Sequence, residues 1–152
     1  MSQKPLKRHK ALQPLSREHH HGLLLSWKIR AGFSKNIEPE RIKKYADWFF
    51  NTHLLTHFEK EEQYVFTVLE PNNEHVKKAL AEHKLLKRLF EDEDIKSALS
   101  KIEEVLDAHI RFEERILFPE IQQVATETEL MKIEEIHQET DFIDKLDDEF
   151  WK

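Results

Sequence analysis

Ten histidines in a chain of 152 residues, with no cysteine beside them, set the range of chemistry open to this protein. An ordinary chain of this length carries roughly a third as many. Without thiols there are no disulfides, iron–sulfur clusters, thiolate metal sites or cysteine nucleophiles, so any metal must be held by imidazole and carboxylate. Two segments pair those groups: His57-Phe-Glu-Lys-Glu61-Glu and His109-Ile-Arg-Phe-Glu113-Glu. On a helix, residues i and i+4 project to the same side, so each His-x-x-x-Glu delivers one nitrogen and one oxygen to a single ion or a neighbouring pair.

The elements that must position these groups are helices. Two Gly leave no room for a phosphate-cradling loop or the turns of an all-β fold, and Leu, Glu, Lys and Ala dominate segments separated by Pro and Asn. Ser16 is placed to cap a helix reaching about Phe33, and Pro39 to open a long helix reaching about Leu69. Beyond Pro71-Asn-Asn a third helix ends near Phe90. A fourth starts at Asp92 or Asp94, with Pro119 as its kink or stop. Thr126 and Glu129 make a capping-box pattern for a last helix carrying Leu130, Ile133, Ile136, Phe142 and Leu146. The reading is an all-α, up-down antiparallel four-helix bundle with an additional C-terminal helix. Its domain bounds are a flexible basic arm over 1–11, the metal-binding bundle over 12–125, and the C-terminal helix over 126–152.

Each apolar stripe is interrupted by a histidine. On the second helix (Phe50, Leu54, Val65, Val68), His57 lies near the middle and Glu61 about 40° away, whereas Glu62 projects outward. On the fourth (Ile102, Val105, Leu106, Phe112, Ile116), His109 is central, Glu113 follows one turn on, and Glu114 falls outside. The third (Val76, Ala79, Leu80, Leu86, Phe90) centres on His83. Among consecutive His19, His20 and His21, the mean direction of Leu12, Leu15, Leu23 and Phe33 selects His19, with His20 second. A carboxylate inside a bundle costs several kcal/mol unless neutralised, and a bound divalent cation would neutralise both Glu61 and Glu113. Four nitrogens and two carboxylates are too many for one tetrahedral zinc but suit two octahedral ions bridged by carboxylates. Iron is favoured among redox metals, with manganese or zinc as alternatives.

These segments, with Leu15-Ser-Arg-Glu-His19-His-His and Glu82-His83-Lys-Leu-Leu, resemble the hemerythrin-like family, the His-His-Glu cation-binding domain, over roughly residues 12–124. The resemblance implies a four-helix bundle around a non-haem di-iron centre that handles dioxygen, nitric oxide, peroxide or iron itself. It implies His19, His57, Glu61, His83, His109 and Glu113 as ligands. Two positions depart from the family's oxygen carriers, which have a further third-helix histidine where this chain has Ala79, and whose last carboxylate would match Glu114 instead of Glu113. His20, His53, one turn before His57, and Glu114 are therefore further ligand candidates. A missing ligand leaves room for a more open, reactive metal.

Competing readings are a ferritin-like di-metal oxidase, for which only Glu134-x-x-His137 fits, and a metal-free interaction bundle using Trp27, Trp48, Phe49, Phe58 and Trp151 as core or partner surface. A haem bundle gives the two internal glutamates no role. With 24 Lys+Arg against 30 Asp+Glu the net charge is −6, which offers a nucleic-acid backbone no attraction. The basic cluster Lys4, Lys7, Arg8, His9 and Lys10 reads as a solvated tail. Apolar runs of at most three residues predict neither a membrane span nor a secretion signal, hence a cytoplasmic protein. No nucleophile or general base points to an organic substrate.

Overall fold

A computed structural model describes residues 7–137 and 142–152, and every regular element among them is helical. Helix α1 spans Gln13–Ser34. It starts ahead of Ser16 because Pro14 occupies its first turn, where the missing N–H has no partner to lose. The Ser16 hydroxyl instead donates to Glu114 Oε2 at 2.8 Å. The turn that follows uses Asn36 at φ 58°, a left-handed conformation that asparagine tolerates.

The second predicted helix is a relay of different helical types. Helix α2, Pro39–Phe49, passes through a π turn at Phe50–Leu54 into α3, Leu55–Lys60, then through a π turn at Glu61–Val65 and a 3₁₀ turn at Phe66–Val68. Helix α4, Glu74–Glu91, is capped by the Asn73 side chain, which accepts from the His75 and Val76 amides. Helix α5, Ile95–Phe112, is capped by Asp94 and runs through a π turn at Glu113–Leu117 into α6, Phe118–Val124. Pro119 falls in the first turn of α6 and so does not stop the chain.

Helix α7, Glu127–Ile136, opens on the expected Thr126/Glu129 capping box but ends before His137. Residues 138–141 of the predicted helix lie outside the described residues, while Phe142 and Leu146 belong to a non-helical segment. Asp144, Asp147, Asp148 and Glu149 would crowd negative charge onto a helix C-terminus. Two of the four are engaged elsewhere in the chain: Lys28 Nζ donates to Asp144 at 2.6 Å, Tyr45 Oη donates to Asp144 at 2.6 Å, and Arg41 forks onto Asp148 at 2.7 and 3.0 Å. The basic arm is likewise not free where it is described. Arg8 donates to the Glu114 carbonyl at 2.6 Å and Ala11 is fully buried, while residues 1–6, with Lys4, lie outside the described residues.

Helix α1 lies along α5, α5 along α4, and α2 against both α1 and α5. The α1–α5 approach is close enough that a Cβ on Gly22 would stand 2.6 Å from Ile110 Cδ1. Two apolar cores result, one around Ile29, Ile42, Phe58 and Leu106, the other around Leu15, Val65, Phe118 and Ile133. His83 sits where they meet, stacked on Phe58 of the first at 3.8 Å and tilted on Phe66 of the second at 5.5 Å. Phe49, Phe58 and Trp151 are core residues, whereas Trp27 is exposed. No helix among the described residues is long and apolar enough to cross a membrane.

Candidate metal centre

His19 from α1, His57 from α3, His83 from α4 and His109 from α5 all turn inward and are buried, as are Glu61 and Glu113 at the first positions of two π turns. One ligand atom each from Glu61, His83, His109 and Glu113 lies within 4.8 Å of the others, and so do those of His19, His57 and Glu61. Glu61 is common to both groups: its Oε2 is 3.3 Å from His57 Nε2 and 3.6 Å from His19 Nε2, and its Oε1 is 3.3 Å from His83 Nε2. Glu113 Oε1 pairs with His109 Nε2 and lies 3.9 Å from the Nε2 atoms of both His19 and His83. The six residues chosen from the stripes thus converge, and the two groups can each hold a metal ion.

Glu61 and Glu113 converge because the amide of each still bonds the carbonyl of its histidine, His57 or His109, one α turn back, and the π turns that begin there explain why the stripe drifts afterwards. A π turn holds an extra residue, so the chain beyond it is rotated relative to an α-helix. Ile116, expected on the inner stripe, is 46% exposed, while Leu117 and Phe118 are fully buried. Val65 is inside, with Tyr64 only half-buried.

Glu62 and Glu114 were expected to face outward, yet each reaches back to an inward histidine. His83 Nδ1 meets Glu62 Oε2 at 2.7 Å and His19 Nδ1 meets Glu114 Oε2 at 2.7 Å. Two carboxylates absent from the sequence reading complete the set: His57 Nδ1 meets Glu18 Oε1 at 2.8 Å, and His109 Nδ1 meets Glu82 Oε1 at 2.8 Å. The available signal was adjacency, because Glu18-His19, Glu61-Glu62, Glu82-His83 and Glu113-Glu114 each place a second acid beside a candidate ligand. An ionised carboxylate only accepts, so every Nδ1 must carry the proton and donate. The neutral ring then offers its Nε2 lone pair to the centre.

Of the remaining candidates, His20 is exposed and His53 joins neither group. The His53 ring packs against Trp48, Phe49 and Phe142. His137, at the end of α7, is buried with its Nε2 3.5 Å from Glu18, while Glu134 is exposed, so the Glu134/His137 pair does not form a site.

Electrostatics bind the six residues together. Burial pulls His57 down, but the carboxylates of Glu61 and Glu18 outweigh it and raise the pKa to about 10. For His109 burial is likewise outweighed, by Glu113 and Glu82, giving about 9. Burial would raise Glu61, yet the surrounding imidazoles hold it well below the ordinary carboxylate range. Both oxygens of Glu61 and of Glu113, with Nε2 of His83 and His109, are buried and face only one another and the other inner imidazoles, with no hydrogen-bond partner from outside the cluster. Orphaned acceptors of this kind carry a large desolvation cost, and a cation removes it.

Beside the centre lies a cavity of about 20 Å³, walled by Gly22, Phe49, Leu54, Leu106 and Ile110, with His19, His57 and Glu113 also on its lining. That is room for one water-sized molecule. Compared with family models, curated proteins and solved structures, the chain matches none.

Proposed function

We propose that this protein is a hemerythrin-like four-helix-bundle protein whose centre is a pair of non-haem iron ions, and that it binds dioxygen or a related small ligand such as nitric oxide or peroxide. The observation that carries the reading is the set of orphaned acceptor atoms of Glu61 and Glu113 amid four imidazoles whose Nδ1 atoms are already committed to outer carboxylates. His19 and His57 would serve one ion, His83 and His109 the other, with Glu61 and Glu113 shared between them. When bound, an iron pair supplies two electrons to a coordinated small molecule. The chain's own part is to fix each imidazole in its Nε2-donating tautomer, exclude bulk water by burying the ligands, and restrict access to a ligand that fits the small apolar cavity. With Ala79 on α4 and His53 in neither group, four nitrogens remain for two ions, which favours an open position.

Elemental analysis of protein expressed in iron-rich medium, combined with absorption spectra after anaerobic reduction and re-oxygenation, tests this. About two iron ions per chain and a reversible change in the visible spectrum are expected. A metal-free, fully stable protein would instead mark a structural bundle.

A further inference from the structure

The four outer carboxylates form a closed ring. Glu18 of α1 supports His57 of α3, Glu62 in the following π turn supports His83 of α4, Glu82 of α4 supports His109 of α5, and Glu114 in the last π turn supports His19 of α1. With Glu61 and Glu113 inside, six carboxylates surround four imidazoles. Each outer carboxylate lies 2.7–2.8 Å from an imidazole Nδ1, and Arg8, 3.6 Å from Glu114, and Lys78, paired with Glu82, flank the ring. A carboxylate pulling on the far proton of an imidazole makes the near nitrogen a stronger donor, which favours the harder, more highly charged ion.

We propose that Glu18, Glu62, Glu82 and Glu114 are positioning residues that make this centre selective for trivalent over divalent ions. The inference rests on the metal-binding reading of the six inner residues. The ring acts on ions through the imidazoles, and by Coulomb's law its effect grows in proportion to ion charge. Loss of an outer partner typically lowers metal affinity about 10- to 100-fold. If that loss applies to a divalent ion, the same logarithm scaled by three halves gives about 30- to 1,000-fold for a trivalent one.

The test uses the full chain, stripped of metal and equilibrated separately with gallium(III) and zinc(II), each buffered by a competing chelator, with bound metal read by elemental analysis. Neither ion changes oxidation state, so the readout is independent of any redox activity. Glu62→Gln and Glu82→Gln keep the side-chain oxygen that accepts from Nδ1 and remove only the charge. The ratio of gallium to zinc affinity should fall about 3- to 10-fold in each and by the product in the double variant. Equal losses for both ions, or none, would overturn the proposal while leaving the metal centre intact. Failure of the unaltered chain to bind either ion would overturn both. Because ring members sit on different helices, Glu18→Gln gives the same ratio if another variant does not fold.

Discussion

At the scale of single residues, the separation between ligands and their supports can be measured. His19→Ala and Glu113→Ala each remove an atom from the centre and should abolish binding of at least one ion per chain, whereas His20→Ala alters an exposed ring and should leave metal content unchanged. Glu114→Ala, which frees His19 Nδ1, should weaken binding about 10- to 100-fold without abolishing it. Metal per chain at a series of chelator concentrations checks all three. Total loss with Glu114→Ala would make Glu114 itself a ligand.

Protonation at the same residues sets a pH dependence. In the metal-free protein His57 and His109 titrate near 10 and 9, above their ordinary value of 6.5. A raised folded-state pKa contributes stability that is complete below the unfolded value and is lost as pH climbs through the folded value. The metal-free protein should therefore lose melting temperature between about pH 6.5 and 10, and also below about 4.5 as Glu61 is protonated. Metal needs the neutral rings, so uptake at pH 7.5 should release at least two protons, one each from His57 and His109, measurable from the buffer dependence of the binding heat. A melting temperature that rises from pH 7 to 9 without metal would contradict the pairing.

Among the elements, the π turns at Glu61 and Glu113 are the features that trade regularity for geometry. Such turns occur frequently at functional sites, because an extra residue is lost to helix hydrogen bonding unless its placement is useful. Deleting exposed Ile116 should let the chain close into an α-helix that still buries Leu117 and Phe118, keeping or raising helicity by circular dichroism. Glu113 stays one α turn beyond His109, whereas Glu114, inside the π turn, should lose its reach to His19 Nδ1, lowering metal affinity about 10- to 100-fold. Unchanged affinity after this deletion would show that the π turn is not what places the Glu114 carboxylate.

For the whole molecule, the C-terminal segment contributes Phe150 and Trp151 to the core built around Ile29 and Ile42. Lys28 is buried with its Nζ 4.0 Å from the centre of the Trp151 ring and donates to both Tyr45 Oη and Asp144. Asp144→Asn leaves that charge without its carboxylate and should cost about 3 kcal/mol, lowering the melting temperature by roughly 6–12 °C. Lys28→Met combined with Asp144→Asn should recover part of that loss, because the pair is then removed together. Trp151→Ala should cost about 3 kcal/mol through the cavity it leaves. Thermal melts of the four variants test whether this segment is part of the folding unit; additive effects of Lys28→Met and Asp144→Asn would deny the coupling.

The sequence by itself determined the helical class, the turn at Pro71-Asn-Asn, a helix start at Asp92 or Asp94, the capping box at Thr126, and the inward direction of His19, His57, Glu61, His83, His109 and Glu113. Each of these follows from periodicity or chemistry within one turn of one helix, which is local information. What the tertiary structure decided lies between helices or breaks the period. An α-helical repeat of 100° per residue could not anticipate the π turns, so Ile116 was placed inside and the second helix read as continuous. Glu62 and Glu114 point away from their own helix's stripe, and their purpose exists only because a neighbouring helix presents an imidazole Nδ1 there. The last helix ends early for the same kind of reason: Asp144 and Asp148 are held by Lys28, Tyr45 and Arg41, more than ninety residues away in the chain, and no local propensity encodes a partner at that distance.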